Sequence, residues 1–416
     1  MNNLERLIIE KCPDGVVYKK IGDICTISKG KQLNKNLLSN DGKYPVINGG
    51  IEPSGYWNEY NFEEKLITIS QGGASAGYVN YIETPFWAGA HCYVIKSVES
   101  DVNYRYIYHF LKSKEVYLQK SQVGAGIPSV SLNEIKELKV AMPPMEIQNE
   151  IVRILDNFTE LTAELTAELT ARQKQYEYYR NKLLSFDESA ESLDTLHTHT
   201  HTHTHGYFYG QEIKWLKLSD IALIKARIGW QGLTKSEYLS SGDYYLITGI
   251  DFKNGIVDFE HCHYVTKDRY EQDKNIQIKN GDVLVTKDGT LGKVAYVEGL
   301  NKPATLNSGV FVVRTIKDEI SQRHLYHYLN SDHLMNYARS RITGGTIKHL
   351  NQNIMVDVPI PIPSLEVQEK IVNILDKFDK LTNDISEGLP AEIEARQKQY
   401  EYYRNKLLSF KELKTA

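Results

Sequence analysis

Apolar side chains recur at steps of three and four in two stretches of the chain, which is the spacing of one stripe along an α-helix. In residues 171–186 the stripe is Tyr176, Tyr179, Leu183 and Phe186, and in residues 395–410 it is Tyr400, Tyr403, Leu407 and Phe410. Both stretches read ARQKQYEYYRNKLLSF without a change. Arg, Lys, Gln and Glu fill the opposite face. A stripe of this kind is ordinarily core, yet packing tolerates volume-conserving swaps and places little demand on exposed positions. Recent duplication or gene conversion would preserve such identity, as would a surface used twice by the same kind of partner. A repeat unit of about half the chain therefore organises the whole sequence.

The first half opens with short β-rich runs at residues 16–27, 43–51, 65–70, 76–81 and 90–96, broken by Asp41-Gly42, Gly49-Gly50 and Gly72-Gly73. A tyrosine-rich helical stretch follows at residues 103–119. These elements predict an α+β unit with a twisted or barrel-like sheet. Pro143 and Pro144 end it, and a long helix begins. Its apolar positions, Ile147, Ile151, Ile154, Phe158, Leu161, Leu165, Leu169, Tyr176, Leu183 and Phe186, alternate by four and three as in a coiled coil. Within the tandem TAELTAEL of residues 162–169 the steps are all of four, a local stutter. One helix over residues 145–186 would be ~63 Å long, more than a compact domain needs, so a spacer role is expected.

Residues 187–206 read as a linker that ends in HTHTHTHTH, from His197 to His205. Five histidines could bind a metal, but an alternating low-complexity tract between domains is more simply a tolerated expansion. The first pattern then restarts. Residues 215–221 correspond to 18–24, strand-like runs follow at 244–250, 282–286, 294–297 and 310–314, and a helix at 322–340. Pro359, Pro361 and Pro363 lead into a second long helical stretch. There Glu366, Gln368, Ile371, Val372, Ile374, Leu375, Asp376 and Phe378 match Glu146, Gln148, Ile151, Val152, Ile154, Leu155, Asp156 and Phe158. It is four residues longer than the first before the shared motif, and Gly388 and Pro390 predict a kink or a restart within it. The expected domains are 1–142 and 213–361, with helical segments 143–186 and 362–416 and a linker at 187–212.

Hydrophobic residues make up 41% and charged residues 25%, ordinary values for a globular protein. No apolar run approaches the ~18 residues of a membrane span, and charges interrupt the N-terminus where a signal peptide needs an apolar core, so a cytoplasmic location is expected. Cys12, Cys25, Cys92 and Cys262 form no paired framework and predict free thiols. A net charge of −4 excludes a uniformly basic coat but allows local basic patches.

Such patches are present. The first domain clusters Lys19, Lys20, Lys29, Lys31, Lys35 and Lys43, which suit phosphate contact near Gln32, Asn34 and Asn36, side chains able to read base edges. The second offers Lys225, Arg227, Gln231 and Lys235, then Lys287, Thr290 and Lys293 around a glycine-bearing turn, and Arg339, Arg341, Lys348 and His349. Catalytic motifs are missing. Gly289-Thr290-Leu291-Gly292-Lys293-Val294 has too short a gap between its glycines for a phosphate loop and lacks the final Ser or Thr. The corresponding Ser70–Gly77 stretch reads as a tight turn. His261-Cys262-His263 on a strand would point the histidines one way and the cysteine the other, so no metal site is expected. The Asn/Asp-Pro-Pro-aromatic motif of amino-methyltransferases does not occur.

The duplicated motif, the tandem TAEL units and the two domain exits, SLNEIKELKVAMPPMEIQNEIVRILD and HLNQNIMVDVPIPIPSLEVQEKIVNILD, together resemble the specificity subunits of type I restriction-modification systems. The resemblance covers essentially the whole chain. It implies two pseudo-repeated α+β target-recognition domains separated by two long antiparallel helices in a coiled coil. It also implies no catalytic residues, double-stranded DNA as ligand with a bipartite asymmetric target, and two methyltransferase subunits as partners. Those partners would dock on the duplicated motif at Arg172, Tyr176, Tyr179, Arg180, Arg396, Tyr400, Tyr403 and Arg404. Two restriction subunits would join in a restriction-competent assembly. The chain itself would hold no cofactor, because S-adenosylmethionine, ATP and magnesium would belong to the partner subunits. A free-standing bipartite DNA-binding protein and a coiled-coil scaffold without a DNA role are the competing readings. The first binds its site tightly without a methyltransferase, and the second shows no salt-dependent DNA affinity.

Overall fold

The structure, a computed structural model, describes residues 3–120, 129–186, 213–228, 232–342, 349–384 and 387–413. The His-Thr tract and the rest of the 187–212 linker lie outside these residues. The chain divides into two compact units, residues 1–165 with 393–416, and residues 166–392. Each unit therefore holds one β-rich domain, part of the helical segment that follows it, and part of the other repeat's helical segment.

In the first unit, runs rich in β-branched residues pair into a four-stranded antiparallel sheet in the order Cys25–Lys29, Cys92–Val98, Leu66–Ser70, Val79–Ile82. Ile67, Ile69, Val94 and Ile95 are fully buried on both faces of its central strands. Thr68 and Ser70 are buried with them, so Leu66–Ser70 is covered on both faces even though its sequence alternates. A smaller sheet sets Tyr44–Ile47 between Tyr56–Trp57 and a parallel partner, Trp87–Ala88. Val17–Lys20 pairs with Lys139–Met142, joining the start of the domain to the strand that leads into the long helix.

The second unit repeats this plan. Ala222–Ala226, Val310–Thr315, Val283–Thr286 and Val294–Tyr296 follow one another in the same order within a six-stranded sheet. Tyr244–Ile247 lies between antiparallel His263–Val265 and parallel Ala304–Leu306. Lys214–Lys217 pairs with Pro359–Ile362 in a two-stranded ribbon, where prolines without N–H donors are tolerated.

The long helical segments form as expected in kind, while the stretches read as single helices at 103–119 and 322–340 each divide in two, Tyr104–Ser113 with Glu115–Lys120 and Gln322–Leu329 with Asp332–Arg339. Met145–Leu183 is one unbroken helix of 39 residues, ~58 Å long. The second segment stops and restarts, with helix Leu365–Asn383 followed by helix Leu389–Leu407 and Pro390 in the latter's first turn. A Cβ at Gly388 would lie 2.6 Å from the carbonyl oxygens of Lys380 and Asp384, so glycine alone fits that break.

A buried glutamine fastens each helix start to its domain. The Gln148 amide donates to the carbonyls of Pro143 (2.8 Å) and Asp101 (3.1 Å) and accepts from the Asn103 N–H (2.8 Å). Gln368 repeats the pattern with Pro363, Glu319 and the Ser321 N–H, each at 2.8 Å. Gln148→Ala or Gln368→Ala leaves buried backbone groups unsatisfied and is expected to destabilise its unit by about 2–3 kcal/mol in urea denaturation. A change under about 0.5 kcal/mol would mean that water replaces the side chain.

Candidate nucleic-acid interface

The strand registers gather one set of loops at the same end of the sheets. In the first unit Lys29 pairs with Tyr93, Ser70 with Cys92 and Ile47 with Ala88, so the segments that follow Lys29, Ile47, Ser70 and Ala88 meet. Backbone bonds tie them together, from Gly30 N–H to Cys92 O (2.9 Å), Lys31 N–H to Ala88 O (2.8 Å), Gln71 N–H to His91 O (2.9 Å) and Val130 N–H to Gln71 O (2.8 Å). Any Cβ at Gly30 would meet the Gly89 carbonyl oxygen at 2.2 Å, which requires glycine there. Lys29, Lys31, Gln32, Asn34 and Lys35 are exposed at this end, as are Asn36 and His91.

The second unit builds the same end with other side chains. Lys287 N–H bonds Gly309 O (2.9 Å) and Leu350 N–H bonds Lys287 O (3.0 Å), which equates Lys287 with Gln71 and Leu350 with Val130. Gly73 and Gly289, both at positive φ with open space where a Cβ would stand, mark the same point of the turn. Because Val283–Thr286 and Val294–Tyr296 form an antiparallel hairpin, no helix follows this turn to complete a phosphate loop. Lys225, Lys287, Thr290 and Lys293 lie on or beside these loops, and Met335 of helix Asp332–Arg339 packs against Gly292, while Arg339 and Arg341 bond locally to Asn336, Tyr337 and Ser340. An open cleft of about 270 Å³ is lined by Arg227, Lys287, Asp288, Phe311, His349 and Asn351, among others.

Several candidates have other positions. Lys19 and Lys20 lie beyond the opposite end of strand Cys25–Lys29 from Lys29, where Lys19 pairs with Glu99 (3.1 Å) and Lys20 with Glu137 (2.6 Å). Their neutralised charges and place beside the helix start remove them from the loop cluster. Arg227 is only 1% exposed. Its guanidinium donates to Leu306 O (2.8 Å), Gln272 Oε1 (3.0 Å) and Thr305 Oγ1 (3.1 Å), so it braces the loops from inside and is not a phosphate ligand. The Lys293 ammonium is bonded to the Phe252 carbonyl. Gln231 and Lys348 fall outside the described residues. Cys262 is buried and His261 pairs with Asp258 at 2.7 Å, while His263 packs on Tyr238, so the three do not converge.

The duplicated motif has two faces with different uses. Tyr400 is 7% exposed and sits in the first core, Tyr176 is 4% exposed and sits in the second. Each copy of the motif thus packs in the unit of the other repeat. Tyr403 stacks on Phe158 (5.5 Å), and Tyr176 and Tyr179 stack on Phe378 (6.2 and 5.8 Å). Arg180 and Arg404 each lie 5.1 Å over the ring of the preceding buried tyrosine. Burial of Tyr176 and Tyr400 corrects the expectation that they face a partner. Arg172 and Arg396 remain half-exposed, bonded to Gln175 and Gln399 at 3.0 and 3.4 Å. The aromatic side chains left outside are Tyr178 and Tyr402, 55% and 61% exposed. An aromatic on the polar face of an amphipathic helix is the signal that marks them.

Beneath the motif lies a charged network. Asp156 accepts from Arg105 (2.5 Å) and from His109 Nε2 (2.8 Å), and His109 Nδ1 meets the Tyr400 hydroxyl at 3.1 Å. In the second unit Asp376 accepts from Arg323 (2.8 Å) and His327 Nε2 (2.7 Å). A carboxylate only accepts, so Nε2 carries the proton and Nδ1 of His109 can receive one from Tyr400. Burial pushes His109 and His327 below the usual imidazole range against the pull of their aspartates, and burial takes His324 down to about 3. Against the upward push of burial, the His and Arg hydrogen bonds hold Asp156 and Asp376 below the ordinary carboxylate range.

A histidine kept neutral when folded binds protons better when unfolded. Its stabilisation is full above the unfolded value near 6.5 and is lost as pH falls below it. Acidification from pH 7 to 5 is therefore expected to lower stability by about 2 kcal/mol for His324 alone. His324→Leu should flatten that slope in pH-dependent urea denaturation. An unchanged slope would count against a neutral buried His324.

The family pattern described as "Type I restriction modification DNA specificity domain" matches residues 13–172 and 211–395, the two repeats just described. The chain belongs to this family of type I restriction-modification specificity subunits. A relative from Haemophilus influenzae, named as a putative type I restriction enzyme specificity subunit, is 31% identical over 97% of this chain and 99% of its own length. The EcoR124I/EcoR124II specificity subunit of Escherichia coli is 37% identical over 65% of this chain and 61% of its own. Among solved structures, the type I restriction-modification S subunit from M. genitalium has the same fold, with a TM-score of 0.56 at 21% identity over 94% of this chain and 96% of that one. Among the described residues, no helix of this specificity-family chain is long and apolar enough to cross a membrane.

Proposed function

We propose that this chain directs a type I restriction-modification assembly to a bipartite, asymmetric DNA site, each unit reading one half. The observation that carries this reading is a pair of backbone ties shared by the loop ends of both units, Gln71 and Val130 matching Lys287 and Leu350, while the side chains displayed there differ, Gln71-Gly72 in one and Lys287-Asp288 in the other. Equal scaffolds with unlike side chains suit two half-sites of unlike sequence. Exposed Lys29, Lys31 and Lys35 and half-buried Lys225 supply phosphate contacts, and Gln32 and Asn34 are the side chains that meet base edges. The chain positions and does not catalyse. Adenine N6 methylation with S-adenosylmethionine, and cleavage with ATP and magnesium, belong to its partners. Two methyltransferase subunits dock on the two exposed motif faces, centred on Tyr178 and Tyr402, and restriction subunits join that complex.

Co-expression with the cognate methyltransferase subunit, followed by sequencing of methylated adenines, tests this. The expected result is a motif of two unlike halves at a fixed gap, lost when this chain is omitted. Methylation at an uninterrupted site, or without this chain, would overturn the reading. Gel shifts as tight without the methyltransferase as with it would favour a free-standing DNA-binding protein.

A further inference from the structure

We infer that Asp288 and His349 form the base-reading pair of the second half-site and that the base they select carries an exocyclic amino group, cytosine or adenine. This rests on the DNA-reading role proposed above and assigns its specificity in one unit. The two side chains come from separate loops and meet at the mouth of the cleft, with His349 Nδ1 2.5 Å from Asp288 Oδ1. Both stay accessible, at 40% and 50% side-chain exposure. Among the described residues Asp288 Oδ2 has no hydrogen-bond partner, so one carboxylate oxygen is fixed by the histidine and the other is left to accept.

A carboxylate next to Lys287, at a loop end that also carries Lys225, is misplaced for phosphate contact, since it would repel the backbone that those lysines attract. It is well placed for a base edge. In the major groove the amino groups of cytosine N4 and adenine N6 are the donors, and a carboxylate can accept from either but cannot serve the carbonyls of guanine or thymine. His349 holds the carboxylate's orientation by donating from Nδ1. The neighbouring lysines keep the acidic group from weakening overall attraction to DNA.

The first unit lacks this device at the same place. With Gln71 equivalent to Lys287 and Val130 to Leu350, the positions of Asp288 and His349 are held by Gly72 and Ser129, which form an isolated β-bridge. A built Asp–His pair in one unit and a bare backbone bridge in the other gives the two halves different readout from the same scaffold.

The test maps methylated adenines for complexes carrying Asp288→Asn or His349→Gln, each beside wild type. Asp288→Asn is isosteric and adds a donor, so it is expected to relax discrimination at one base pair of the second half-site by at least about tenfold. The first half-site and the gap stay unchanged. His349→Gln should relax the same base pair to a smaller degree. If wild type gives a bipartite motif and both variants reproduce it unaltered, or if methylation falls uniformly across all sites, the pair does not read a base and the inference fails. If wild type itself gives no bipartite motif, the failure lies with the DNA-reading role instead. Thermal denaturation of each variant checks folding, and the side-chain exposure of both residues makes an unchanged melting temperature the expected control.

Discussion

Insertion of one further TAEL unit into residues 162–169 is expected to widen the gap between the two half-sites by about two base pairs and to leave the bases of both halves unchanged. Four residues add ~6 Å to a continuous helix and turn it ~40° beyond a full revolution. Two base-pair steps span nearly the same length at ~3.4 Å each. The insertion reaches both ends of the helix because nothing between Met145 and Leu183 breaks it. Ile147, Ile151 and Leu155 are fully buried in the first core and Tyr176 is buried in the second, while none of the residues from 162 to 169 is buried. The added turn therefore enters where little packing is disturbed. Removal of one unit should narrow the gap by the same amount. Methylation mapping that finds new half-site bases at a constant gap would refute this arrangement.

The second large effect is on stability. Asp156→Ala and Asp376→Ala each remove the acceptor shared by an arginine and a fully buried histidine. The orphaned donors should destabilise the affected unit by about 2–3 kcal/mol, less than for a fully enclosed ion pair because each aspartate is about a third exposed. Tyr400→Phe loses one hydrogen bond to His109 and should cost about 1 kcal/mol. In urea denaturation, Asp156→Ala combined with Tyr400→Phe should cost less than the sum, because both act through His109. Strict additivity would mean that the tyrosine and the aspartate do not share that imidazole.

Much of this architecture is legible in periodicity. The unbroken first helix, the break at Gly388 and Pro390, and the repeated strand pattern all follow from local rules that act over a few residues. The packing of each motif copy in the other repeat's unit does not, since a stripe of tyrosines states that it will be buried but not by which surface. The outward role expected of Tyr176 and Tyr400 comes from the family resemblance, and the core claims both. Arg227 misleads because a cation beside a glycine-rich turn looks alike whether it faces solvent or a ring of carbonyls. Lys19 and Lys20 mislead because closeness in sequence to Lys29 conceals a strand running between them. The Asp288 and His349 pairing joins residues 61 apart, and no sequence pattern announces it.

The ties that join Gln71 to His91 and Val130, and Lys287 to Gly309 and Leu350, run from peptide N–H to peptide carbonyl. The side chains of Gln71 and Lys287 take no part in those ties. Mutation can therefore rewrite what such a surface recognises without first finding a compensating change inside, so target preference in this protein can drift at nearly constant stability.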